Sequence, residues 1–131
     1  MAAIPEDMKD LLESKALAQV ATVTPSGWPR TSPMWFDWDG ERVLLSHTKA
    51  RAKYRDVQAN PRVAVSIVDP ANSGRYVEIR GGVEVEDDPD KTLIHRLAKK
   101  YEGVDEYVGD GPGDERVIFK VKPERVVPRR A

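Results

Sequence analysis

Residues 46–55 read Ser-His-Thr-Lys-Ala-Arg-Ala-Lys-Tyr-Arg and gather side chains suited to a phosphate in one short stretch. The segment leaves a strand with the hydroxyls of Ser46 and Thr48 and the imidazole of His47, then enters a helix. A helix N-terminus offers free backbone N–H groups and a positive dipole end. Arg51 adds a planar fork and Lys53 a point charge on either side of the small Ala52. This spacing makes a phosphate cradle; the alternative is a basic helix facing solvent. Upstream, Trp28, Trp35, Phe36 and Trp38 fall within eleven residues. At the two-residue period of a strand, Trp28, Phe36 and Trp38 share one face, and Trp35 takes the other with Pro33 and Asp37. One face suits a core. The other suits a flat ring ligand or an interface between two copies of the chain.

Other chemistries find little support. Cysteine is absent, which removes thiolate nucleophiles, thiolate metal sites and disulfides together. No G-x-S-x-G elbow, G-x-G-x-x-G turn or phosphate-binding G-x-x-x-x-G-K-S/T loop occurs. Ser46 and His47 are neighbours on a strand, so they point to opposite faces and do not form a nucleophile–base pair. His95 reads as a surface residue in mid-helix. Two distant histidines make a weak case for a metal. Asp87, Asp88 and Asp90 read as a helix cap.

The elements that must position these residues follow from period and punctuation. Pro5 opens a short amphipathic helix running to about Ser14. Strands are expected over Leu17–Thr24, Arg30–Asp37, from Val43, over Val63–Asp69, over Arg75–Glu86 and over Arg116–Lys122. Arg125–Pro128 adds a short edge. Pro25-Ser26-Gly27 and Asp39-Gly40 are turns. Pro33 belongs on an edge strand or a bulge, and Gly81-Gly82 marks a bend or bulge. Ala50–Gln58 is helical and stops before Asn60-Pro61. A last helix, opened by Asp87 and Asp88, carries Leu93, Ile94, Leu97 and Tyr101 on one stripe. A Gly- and Asp-rich loop follows from Gly103 to Asp114. The order of elements predicts a mostly β fold with short helices: about six antiparallel strands closing into a small barrel.

The chain has 131 residues, which favours a single domain over residues 1–131 with a core large enough to need no staples. The net charge of −1 gives no reason to expect a nucleic-acid partner. That charge is unevenly spread: residues 42–62 carry +5, 84–115 carry −7, and 116–131 carry +5. Compact basic segments suit a small anion or are simply solvated faces. No apolar run reaches membrane-spanning length, and the N-terminal stretch lacks the marks of a secretory signal. A cytoplasmic protein is expected.

With these residues in view, the sequence resembles the split β-barrel superfamily typified by pyridoxamine-phosphate oxidase. Within it, the sequence is similar to the small actinobacterial oxidoreductases that use the deazaflavin coenzyme F420. The resemblance is carried by LAQVATVTPSGWPRTSPMWFDWDGERVLLS, ARAKYRDVQANPRVAVSIVDP, RYVEIRGGVEVEDDP, LAKKYEGVDEY and RVIFKVKPERVV. It implies a homodimer with two coenzyme sites at the subunit interface. It places the coenzyme phosphate on Arg51 and Lys53, beside Ala52. It places the end of the third strand (Ser46, His47, Thr48) near the coenzyme, the ring against Ser32, Pro33, Met34 and Trp35, and a further contact on Tyr76. It also implies hydride transfer from reduced F420 to an unsaturated small molecule, with His47 as a candidate proton donor. FMN is the alternative coenzyme, for a reductase or oxidase of the same fold. A non-catalytic cofactor- or tetrapyrrole-binding protein is the alternative role. Arg30, His47 and Trp28 depart from the family's usual Gln, Thr and small polar residue.

Overall fold

The fold was taken from a computed structural model, which describes residues 2–131. A 3-10 turn (Glu6–Met8) runs into the four-residue helix α1 (Lys9–Leu12). There follow β1 (Ala18–Val23), β2 (Pro29–Met34), β3 (Asp37–Trp38), β4 (Val43–Thr48), α2 (Ala52–Ala59), β5 (Arg62–Asp69), β6 (Asn72–Asp87), α3 (Thr92–Glu102), β7 (Arg116–Val121) and β8 (Arg125–Arg130). The strands are antiparallel in the order β2-β1-β5-β6-β7-β4-β3, with β8 added beside β6. Among the described residues there are eight strands, against the six and a short edge expected: β8 is that edge, and one strand is further to the expectation.

The further strand comes from contacts distant in sequence. The single strand predicted over Arg30–Asp37 is broken at Trp35-Phe36, because α3 holds that point of the chain. Tyr101 Oη accepts from the Phe36 amide (3.3 Å) and donates to the Ala16 carbonyl (2.6 Å). Lys100 Nζ donates to the Phe36 carbonyl at 2.8 Å and lies 4.2 Å from the Phe36 ring centre. The break also undoes the expected aromatic face. Trp28 precedes β2 and is 74% exposed, whereas Phe36 is fully buried. Pro33 sits on an edge strand, where its missing N–H costs no ladder bond.

The 16-residue strand β6 belongs to two ladders. Arg75–Arg80 pair with β8, Asn72–Gly82 run against β5, and Val83–Asp87 pair with β7. The β5 register passes unbroken through Gly81-Gly82; the irregularity lies at Val68/Asp69 instead. The glycines mark the change of partner. A Cβ on Gly81 would lie 1.7 Å from the Lys122 carbonyl oxygen, so the crossing needs a residue without a side chain.

Alternation on β4 sends Val43 and Leu45 into the main core with Val65, Ile67, Ile79 and Phe119. It sends Leu44 outward beneath α3, where Leu93 and Leu97 form a second cluster with Trp35, Tyr101 and Ile118. Helix α3 begins at Thr92, later than expected, yet its cap is Asp88. That carboxylate accepts from the Thr92 amide (3.0 Å), the Thr92 hydroxyl (2.8 Å) and the Leu93 amide (2.9 Å). Among the described residues no helix is long and apolar enough to cross a membrane.

Candidate functional site

Between β2, β4 and α3 lies a cavity of about 320 Å³, lined by Leu17, Pro33, Met34, Trp35, Ser46, Arg51, Ile94, Leu97, Tyr107 and Arg116. Its size falls at the lower end of small-molecule sites. The wall from β2 is Pro33, Met34 and Trp35. The indole of Trp35 is stacked on Tyr101, with ring centres 5.3 Å apart and planes 5° from parallel. It meets Tyr107 edge-on at 6.1 Å. Two aromatic neighbours fix the indole, so the wall is preformed.

Ser46 enters from β4 on the face that carries Leu44. Arg51 enters from the cap position of α2, where its own amide donates to the Thr48 carbonyl (3.2 Å) and turns the chain from strand to helix. Arg51 is exposed and lines the cavity, and its guanidinium has no hydrogen-bond or ion-pair partner among the described residues. Five of the residues singled out in the sequence therefore share one cavity: Pro33, Met34, Trp35, Ser46 and Arg51.

The others do not line it. Ser32 sits opposite Val20 in the β1–β2 ladder. Thr48 and Ala52 serve the turn into α2. Lys53 does not stand beside Arg51 as a second phosphate ligand; it is 4% exposed, and its Nζ donates to the Arg30 carbonyl at 3.2 Å. Burial lowers its pKa, with Asp56 opposing and Arg30 reinforcing the effect. Asp56, fully covered in the same cluster, accepts from Thr22 Oγ1 (2.7 Å) and Arg30 Nε (2.8 Å). Burial pushes this carboxyl up, but those bonds and the nearby cations outweigh it and hold it below the usual range. Arg30, the departure on β2, is thus tied to α2 through Asp56. Tyr76 lies on β6 between β5 and β8 and is not part of the cavity lining.

His47 points the other way from Ser46, into the barrel. Its ring lies 5.3 Å from that of Phe119, it is 6% exposed, and neither ring nitrogen has a partner among the described residues. Burial, then the charges of Arg51, Lys53 and Arg116, lower its pKa to about 4. It is a neutral imidazole at neutral pH, outside the cavity lining.

Sequence reasoning missed Leu17, Ile94, Leu97, Tyr107 and Arg116 as cavity residues. Ile94 and Leu97 were legible only as core stripe. Arg116, a cation opening an apolar strand, and Tyr107, an aromatic within a polar loop, are the signals that were available. His95 proves to be structural: its Nδ1 accepts the Tyr107 amide at 2.9 Å and fastens the loop to α3. Arg116 is clasped by Asp110 through Nε (2.9 Å) and Nη2 (2.6 Å). Burial opposes the charge on Arg116, but Asp110 prevails and holds the guanidinium above its ordinary pKa. Among the described residues no group of three or more His, Asp or Glu converges as metal ligands.

This architecture is shared. A solved F420 reductase is 40% identical to the chain, covering 95% of this chain and 98% of its own, with a TM-score of 0.85. A conserved hypothetical protein from Mycobacterium tuberculosis is 22% identical over 98% of this chain and 86% of its own, with a TM-score of 0.77. The haem-storage protein HutZ from Vibrio cholerae shares the fold at 14% identity over 98% of this chain and 96% of its own, with a TM-score of 0.70. No curated protein matches the chain. The family described as pyridoxamine 5'-phosphate oxidase matches residues 4–129. Nearly the whole sequence is accounted for by that match, and the chain belongs to the pyridoxamine 5'-phosphate oxidase family.

Proposed function

We propose that the protein is an F420-dependent oxidoreductase that passes a hydride from reduced deazaflavin to an unsaturated small molecule. The observation that carries this reading is the 40% identity, over almost the full length of both chains, to an F420 reductase. The donor set fits such a coenzyme: a preformed aromatic wall for a ring, and the unpartnered cation Arg51 at a helix N-terminus for a phosphate.

When bound, the coenzyme supplies a hydride from C5 of its ring. The protein's residues bind, orient and exclude water. Pro33, Met34 and Trp35 provide a flat apolar surface that sets the plane of the ring. Leu17, Ile94 and Leu97 add apolar surface around the ring. Arg51 anchors the phosphate. No side chain need act as nucleophile or base, because hydride transfer is the coenzyme's chemistry. Tyr76 stands apart from these walls, which agrees with a homodimer in which a second copy completes the site.

The two cations of the cradle separate in experiment. Arg51→Ala is expected to weaken F420 binding by about 1–3 kcal/mol, the scale of a charge-assisted hydrogen bond, with little change in unfolding. Lys53→Ala is expected to act mainly on stability, because it leaves the Arg30 carbonyl without its donor and removes a cation that favours the charged form of Asp56. Paired F420 titrations and urea unfolding curves test this. Unaltered coenzyme binding in Arg51→Ala would remove the phosphate assignment.

A further inference from the structure

One corner of the cavity is polar, and the reading above makes no use of it. Arg116 opens β7 opposite Thr48 on β4, two residues from Ser46, and its side chain is 3% exposed although it lines the cavity. Three groups hold its guanidinium. Asp110 takes Nε and Nη2 in a two-pronged pair at 2.9 and 2.6 Å. The Tyr107 ring centre lies 5.1 Å from the guanidinium carbon. The remaining Nη1 donates a long bond, 3.4 Å, to Ser46 Oγ. Asp110 also meets Lys91 Nζ at 3.3 Å, so the acid is fixed from its far side.

Ser46 accepts from this cation, and its own O–H has no acceptor among the described residues. A hydroxyl carries one hydrogen and two lone pairs. With one lone pair engaged by a guanidinium, the hydrogen is polarised and left for the cavity. Asp110, shared with Lys91, occupies two of the three nitrogens of Arg116, so the corner does not present this cation directly. It offers a neutral but strengthened donor, which suits a neutral acceptor such as a carbonyl oxygen.

We propose that Ser46, oriented by Arg116 and Asp110, grips a carbonyl oxygen of the planar ring taken into the cavity, so that the cavity selects carbonyl-bearing rings over bare aromatic ones. The inference rests on the reading that the cavity takes a ring. Arg116 and Asp110 are positioning residues in it; Ser46 makes the contact.

Two phosphate-free probes of similar tricyclic shape test it on the intact protein: lumichrome, which carries ring carbonyls, and phenazine, which carries none. Binding is read by tryptophan quenching and by calorimetry. One polarised hydrogen bond is worth about tenfold, so the wild type is expected to prefer lumichrome by about that factor. Ser46→Ala should lose the preference with phenazine affinity unchanged, which also shows that the cavity is intact. Ser46→Thr should keep it, and Asp110→Asn should reduce it. A preference that survives Ser46→Ala overturns the proposal, as does a wild type that binds both probes alike or neither. A parallel F420 titration separates the two readings. Lumichrome preference without F420 binding defeats the coenzyme assignment alone, and F420 binding without the preference defeats the Ser46 assignment alone.

Discussion

His47 lies inside the barrel, its ring 5.3 Å from that of Phe119. Its neighbours Ser46 and Thr48 belong to the outer face of β4, and strand alternation then obliges His47 to enter the barrel against Phe119. A buried imidazole without partners resists protonation, and three nearby cations add to the resistance; its pKa falls to about 4. In the unfolded chain it returns to 6.5. Between those values the unfolded state binds more protons than the native state, so stability falls as the pH is lowered through that window. The effect amounts to about 2 kcal/mol between pH 7 and pH 5. Urea unfolding of the wild type should show this loss, and His47→Leu should lack it. Equal losses in the two proteins would mean that His47 is paired or hydrated in the native state. At the same scale, only one of the two cations expected to act together lines the cavity. Arg51 sits where a cap residue must point outward, but Lys53, two residues on, turns toward β2. A helix projects residues two apart on different sides, so adjacency in the sequence did not amount to a shared site.

At the level of elements, hydrophobic period and turn chemistry located nearly every strand and both longer helices. Asp39-Gly40 makes its turn with Gly40 at φ +96°, as the dipeptide suggests. The errors fell where contacts distant in sequence decide. The break between β2 and β3 is imposed by Tyr101 and Lys100, more than sixty residues away, and no local pattern announces it. The helix α3 was expected too early because its cap works at a distance. Asp88 reaches over Pro89, Asp90 and Lys91 to hold the first amides, with Lys91 in a left-handed conformation at φ 57°. Asp88→Ala is therefore expected to destabilise the protein by about 1–2 kcal/mol, the scale of a lost N-cap. Because α3 carries Ile94 and Leu97 into the cavity wall, ring binding should weaken in parallel. Denaturation midpoints and lumichrome affinity, measured on one preparation, check both. A midpoint equal to that of the wild type would show that the helix start is held by packing alone.

On the scale of the whole molecule, the long strand β6 joins the two ladders, and Gly81 permits the join by admitting the Lys122 carbonyl. The β-rich class and antiparallel order were readable from hairpin signals alone. The division of β6 between partners was not, since it depends on which strands arrive from elsewhere. The cavity is likewise a product of the whole: its walls come from residues 17 to 116. The most direct test of the function follows from that assembly. F420 and FMN are titrated separately into a Trp28→Phe/Trp38→Phe background, which leaves Trp35 as the fluorescent reporter on the cavity wall. Saturable quenching of Trp35 by F420 with little response to FMN is expected, followed by hydride transfer from the reduced F420 complex to an unsaturated acceptor. Quenching by FMN with none by F420 would contradict this and assign the cavity to a flavin.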